Sequence, residues 1–118
     1  MTKCLQLMRV ISETRLKRFW DANPQQAKAR KSLTQWLATT KASAWLSPAD
    51  AKTTFGKNVD FVQSDNGSDL AVFNIHANHY RLIASVHYLA KHPRKGRVYV
   101  LRILTHEAYD LEKWKQEL

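Results

Sequence analysis

Residues 70–106 read LAVFNIHANHYRLIASVHYLAKHPRKGRVYVLRILTH and contain neither Asp nor Glu. This stretch decides the fold, because its apolar residues recur with a period of two. From His79 to Tyr88, one strand face takes Tyr80, Leu82, Ala84, Val86 and Tyr88, and the other takes Arg81, Ile83, Ser85 and His87. Leu70 to Ile75 predicts the preceding strand, with His76-Ala77-Asn78 as the turn. Arg97 to Leu104 predicts the following one, reached through the basic loop Lys91-His92-Pro93-Arg94-Lys95-Gly96. The stretch also holds all 5 histidines, and from the chain's 19 Lys and Arg it takes Arg81, Lys91, Arg94, Lys95, Arg97 and Arg102. A sheet surface with cations and imidazoles but no carboxylate attracts phosphate, and imidazoles move protons near neutral pH. Nucleic acid is therefore the first partner expected, and RNA cleavage the first chemistry.

Outward from this stretch the period changes. Val59 and Phe61 precede Asp65-Asn66-Gly67-Ser68, where Asn-Gly supplies the positive φ of a hairpin turn, so a fourth strand joins the meander. Ser47-Pro48-Ala49-Asp50 starts a short helix with a capping hydroxyl, a proline and an acid, and it ends near Phe55-Gly56. Leu5 to Ile11 predicts a first strand. Ser12 then caps a helix bearing Leu16, Phe19 and Trp20, and Asn23-Pro24 ends it or begins the next. Ala29, Leu33, Trp36, Leu37 and Thr40 mark the core face of that second helix. Thr105 caps a final helix from His106 to about Gln116. The result is an α+β fold: an N-terminal strand and a two-helix hairpin packed on a mainly antiparallel sheet, with a C-terminal helix. Residues 8–118 form one domain, and residues 1–7 read as an extension or an early start.

At 118 residues a single core is expected. A net charge of +9 favours a polyanion over a small neutral substrate, although an acidic protein would satisfy the same sign. The single cysteine, Cys4, rules out an intramolecular disulfide and reads as incidental, which fits a reducing, cytoplasmic setting. No stretch approaches the roughly 18 apolar residues of a membrane span. Gly-rich phosphate loops, a serine elbow and a paired-carboxylate motif are all absent from the sequence.

Thr105-His106-Glu107-Ala108-Tyr109-Asp110 is the sharpest constellation. His106 and Tyr109 share a helix face, with Asp110 one turn beyond His106. Histidine there suits a general base or acid, although a solvated helix-start histidine has the same pattern. Arg81 inside an apolar strand needs a partner or a groove. Asn74 and Asn78 flank a turn, and the loop carrying Lys91, Arg94, Lys95 and Arg97 suits phosphate contact or plain solvation. His76-x-x-His79 has the spacing of a metal pair but no second pair of ligands nearby, so neither a metal nor a cofactor is expected. The four tryptophans, Trp20, Trp36, Trp45 and Trp114, read as core.

Taken in order, Phe73-Asn74-Ile75, Asn78-x-Tyr80-Arg81-Leu82-Ile83 and Tyr99-x-x-x-Ile103-x-Thr105-His106-x-x-Tyr109-Asp110 resemble the HigB-type mRNA interferase toxins. Trp45, Ser47-Pro48-Ala49-Asp50 and Phe55 match that family's middle segment, and the likeness runs from Met8 to about Lys115. The resemblance implies a RelE-like fold, cleavage of translated mRNA on the ribosome, and neutralisation by a HigA-type helix-turn-helix antitoxin. It also implies attack by a ribose 2′-hydroxyl on the adjacent phosphate without metal. Arg81 would be the cation, His106 the base or acid, and Tyr109 a positioning, stacking or proton-donating group. The rival readings are a non-catalytic RNA- or ribosome-binding module, or a protein whose cationic face docks an acidic partner.

Overall fold

A computed structural model describes residues 7–118. The elements run β1 (Arg9–Ile11), α1 (Thr14–Asp21), α2 (Pro24–Ala27), α3 (Arg30–Lys41) and α4 (Pro48–Phe55). A 3-10 turn at Gly56–Asn58 leads to β2 (Val59–Gln63), β3 (Asp69–Ile75), β4 (Tyr80–His87) and β5 (Arg97–Thr105), and α5 (His106–Asp110) and α6 (Trp114–Glu117) complete the chain. Five strands form one sheet in the order β1-β5-β4-β3-β2. Strands β2 to β5 make the antiparallel meander, and β1 lies parallel to β5 with Val10 opposite Val98. The α+β architecture is as expected from the alternation. Residues 1–6, with Cys4 and the start of the anticipated first strand, fall outside the described residues.

Alternation sends the large core to one face. Phe73, Ile75, Leu82, Ala84, Val98 and Val100 point under the helices and meet Leu16, Leu33 and Trp36 there. Phe73 is the centre of an aromatic group, with ring centroids 5.3 Å from Trp36 and 5.1 Å from Phe55. Burying such a ring contributes roughly 2–3 kcal/mol. The opposite face carries a small cluster of Leu70, Val72, Ile83 and Trp114.

Local signals were used unevenly. Asn23 accepts from the Gln26 amide at 2.8 Å and Pro24 opens α2, so the second helix divides into one short turn and α3. Ser12 is no cap: it sits at φ 71, outside α1. Ser47 makes no side-chain cap bond either; Asp50 instead accepts from the Leu46 amide at 2.8 Å. The final helix is not continuous. Glu112 adopts φ 58 and breaks it, which turns Trp114 back onto the sheet, where its indole donates to the Tyr109 carbonyl at 3.0 Å. Burial of that indole decides the kink, because a continuous helix would rotate Trp114 about 140° away from Tyr109. Among the described residues no helix is long and apolar enough to cross a membrane.

Candidate functional site

The β3–β4 turn and the β5–α5 junction meet at one end of the sheet. Register fixes this, because Ile75 pairs with Tyr80 and Tyr80 with Thr105. The turn residues His76, Ala77 and Asn78 take φ of 53, 51 and 73 in succession, a left-handed run that side chains seldom adopt. That conformation presents the Asn78 carbonyl to Arg81, whose Nη1 donates to it at 2.8 Å and to the Tyr80 carbonyl at 3.4 Å. The guanidinium lies 5.7 Å from the Tyr109 ring centroid. Tyr109 in turn stacks on Trp114 at 5.1 Å and 15°. Arg81 is thus held by backbone on one side and an aromatic face on the other. Its Nε and Nη2 make no hydrogen bond among the described residues. A planar fork held in this way suits a phosphate.

His106 follows the Thr105 cap, whose hydroxyl accepts from the Ala108 amide at 3.1 Å. The His106 amide donates to the His79 carbonyl at 3.2 Å, which ties α5 to the strained turn. Its Nδ1 lies 2.8 Å from Oδ2 of Asp110, and the ring is half exposed. A carboxylate only accepts, so Nδ1 carries the hydrogen and Nε2 is the acceptor of the neutral ring. His106 borders a cleft of about 540 Å³ whose wall includes Gln25, Lys28, His76, Asn78 and His79. Burial raises the Tyr109 phenol above its ordinary range, and the Asp60 carboxylate adds to this against the smaller opposing pull of Lys115 and Arg81. The phenol of Tyr109 is protonated at neutral pH with or without this shift, which holds its proton more tightly. A larger cleft of about 630 Å³ lies at the other end of the sheet, with Leu46, Phe61, Val86 and Tyr88 among its apolar walls.

Five of the anticipated residues gather at this end: Asn74, Asn78, Arg81, His106 and Tyr109. Asn74 pairs with Arg81 across the strands, and its amide donates to the Lys57 carbonyl at 3.5 Å. Lys91, Arg94, Lys95 and Arg97 are elsewhere. Arg97 opposes His87, six positions along β4 from Arg81, which is roughly 20 Å at the rise of a strand. The expectation of an unneutralised cationic sheet is corrected in space. Asp110 contacts His106, Asp60 is near enough to perturb Tyr109, and Glu117 pairs with Arg102 at 3.3 Å. All three carboxylates come from outside segment 70–106. Asp60 and Lys28 had no local signal, because each comes from an element distant in sequence, and the support of Tyr109 by Trp114 depends on the helix break at Glu112.

A family model described as HigB_toxin, RelE-like toxic component of a toxin-antitoxin system, matches residues 29–112. The match covers well over half of the chain and includes Asn74, Asn78, Arg81, His106 and Tyr109 as well as Lys91, Arg94, Lys95 and Arg97. No curated protein matches the chain.

Proposed function

The chain belongs to the HigB toxin family, the RelE-like toxic components of toxin–antitoxin systems, and we propose that it is an endoribonuclease that cuts translated mRNA on the ribosome. The observation that carries this reading is the grouping of Arg81, Tyr109 and the His106–Asp110 pair at one end of the sheet. In the proposed step, Nε2 of His106 takes the proton of a ribose 2′-hydroxyl, with Asp110 stabilising the imidazolium that forms. The 2′-oxygen attacks the adjacent phosphorus, and the bond from phosphorus to the 5′-oxygen of the next nucleotide breaks. Arg81 takes the charge that grows on the phosphorane through its free Nε and Nη2. The Tyr109 phenol supplies the proton to the leaving 5′-oxygen. The products are a 2′,3′-cyclic phosphate and a 5′-hydroxyl, and no metal takes part. Asn74 and Asn78 flank the reacting nucleotide, and the basic loop from Lys91 to Arg97 contacts phosphates farther away.

Membership of a toxin–antitoxin family carries an antitoxin partner with it. We place a HigA-type helix-turn-helix protein in that role, and the cytoplasm as the setting. Induced expression followed by mapping of mRNA 5′ ends tests the activity. New ends bearing 5′-hydroxyls within translated messages are expected. Growth arrest with unchanged ends would select a non-catalytic binding module, and soluble expression without arrest would contradict both.

A further inference from the structure

At the far end of the same sheet face stands a group of rings that neither core cluster uses. Val86, Val98 and Val100 turn into the helix-covered core, so their neighbours His87, Arg97 and Tyr99 face the other way. His87 and His92 stack with ring centroids 4.9 Å apart and planes 27° apart, and Tyr99 lies 5.1 Å from His87 on a tilt of 57°. Tyr99 and His87 are half-buried, whereas His92 is exposed at the tip of the stack. Around it stand Lys91, Arg94, Lys95 and Arg97, none of which belongs to an ion pair among the described residues. Two rings packed on a central His87, the outer one exposed, together with uncommitted cations combine the two elements of single-strand recognition: a π-face for a base and charges for its backbone.

We propose that His87, His92 and Tyr99 form a second subsite for single-stranded RNA, in which an unpaired base extends the stack on the outer face of His92 and the surrounding cations hold the flanking phosphates. The inference rests on the reading of this chain as an RNA-binding toxin, and adds a subsite roughly 20 Å from the cleavage end. Stacking tolerates any base, so the subsite grips the strand without choosing its sequence. Tyr99 braces His87 and His87 positions His92, the most exposed of the three rings.

Fluorescence anisotropy with a single-stranded, 2′-O-methylated oligonucleotide, which cannot be cut, tests the proposal. His92 is an exposed loop residue, so its substitution leaves the fold intact. His92→Ala should weaken binding about tenfold with the salt slope unchanged, and His92→Phe should retain it. A duplex of equal length should not distinguish the variants. Ribosomes with and without bound mRNA separate message from ribosomal RNA as the strand held. Equal affinity of His92→Ala and the parent would overturn the subsite while leaving the endoribonuclease reading standing. Loss in His92→Phe equal to that in His92→Ala would overturn stacking. Unchanged RNA affinity with weakened antitoxin binding would overturn the subsite and assign the rings to the protein partner. A parent that binds no single strand at low salt would remove both readings together.

Discussion

The two ends of the sheet hold their charged side chains in opposite ways. At one end, Arg81 is fixed by the Asn78 carbonyl and the Tyr109 ring, and His106 by Asp110 and the His79 carbonyl. At the other end, Lys91, Arg94 and Lys95 lie on an exposed loop, and the ion pairs of the described residues all belong to other side chains. A transition state rewards groups that are already in place, because they need no reorganisation when charge develops. Attachment to a polyanion rewards number and reach. Under the proposed reading, the same residue types, drawn from one acid-free segment, divide into chemistry and attachment according to what immobilises them.

The largest effect that could break this division belongs to His106. His106→Ala should lower the single-turnover cleavage rate by about 10² to 10⁴, with ribosome binding retained. Full cleavage by a folded variant would remove His106 from the chemistry. Arg81→Ala follows, at about 10² to 10³, or roughly 3–4 kcal/mol, because the site loses the charge opposite the phosphorane. Its circular dichroism and melting should resemble the parent's. A collapsed fold would instead show that Arg81 serves structure.

Joint replacement of Lys91, Arg94, Lys95 and Arg97 by Ala sharpens the comparison from the other end. Ribosome or RNA association should weaken, and its dependence on salt should become shallower, since each lost phosphate contact removes counterion release. The rate at saturating ribosome should stay within a few-fold. An identical salt slope would show the loop to be solvated and idle.

Each end also holds a tyrosine whose proton is retained. Burial, with a contribution from Asp69, pushes Tyr88 near the loop up to about 12, and Tyr109 at the site is raised as well. Raised folded values mean that stability is fully present below pH 10 and is lost as pH climbs towards 12, where the unfolded chain has released protons that the folded one still binds. Denaturation between pH 8 and 12 should show a decline, cut by solvent screening of these part-exposed phenols to about 1 kcal/mol. Tyr88→Phe should flatten most of it, and a parent without that decline would contradict the burial of the phenol. Asp110→Asn should act more mildly than His106→Ala. It keeps an oxygen that accepts from Nδ1 but removes the charge, so cleavage should fall about tenfold.

How far the sequence reaches differs between these features. Strand alternation from Val59 to Leu104 placed Arg81 opposite the core residues Tyr80 and Leu82, and Asn66-Gly67 marked the turn where Gly67 takes φ 82. The pairing of His106 with Asp110 follows from helical spacing and needs only local geometry. Tertiary events were not legible. Glu112 breaks the last helix because Trp114 has a hydrophobic patch on the sheet to cover, and no residue within the helix announces it. Ser12 lies one residue before the Glu13 N-cap of α1, and Ser47 occupies the N-cap position of α4 without a side-chain bond, while Asp50 reaches back to the Leu46 amide. Absence of acid along residues 70–106 misled as well. Folding brings Asp60, Asp110 and Glu117 to that surface from either side of the segment.

The most direct test compares Arg81→Ala with the fourfold loop variant in single-turnover cleavage of mRNA on saturating ribosomes, with 5′ ends mapped in the same samples. If chemistry resides at the Arg81 and His106 end, the loop variant cuts at the parental positions at nearly the parental rate, and Arg81→Ala leaves the message intact. Cleavage by Arg81→Ala together with loss of turnover in the loop variant, its ribosome binding retained, would place the chemistry at the opposite end and contradict the account.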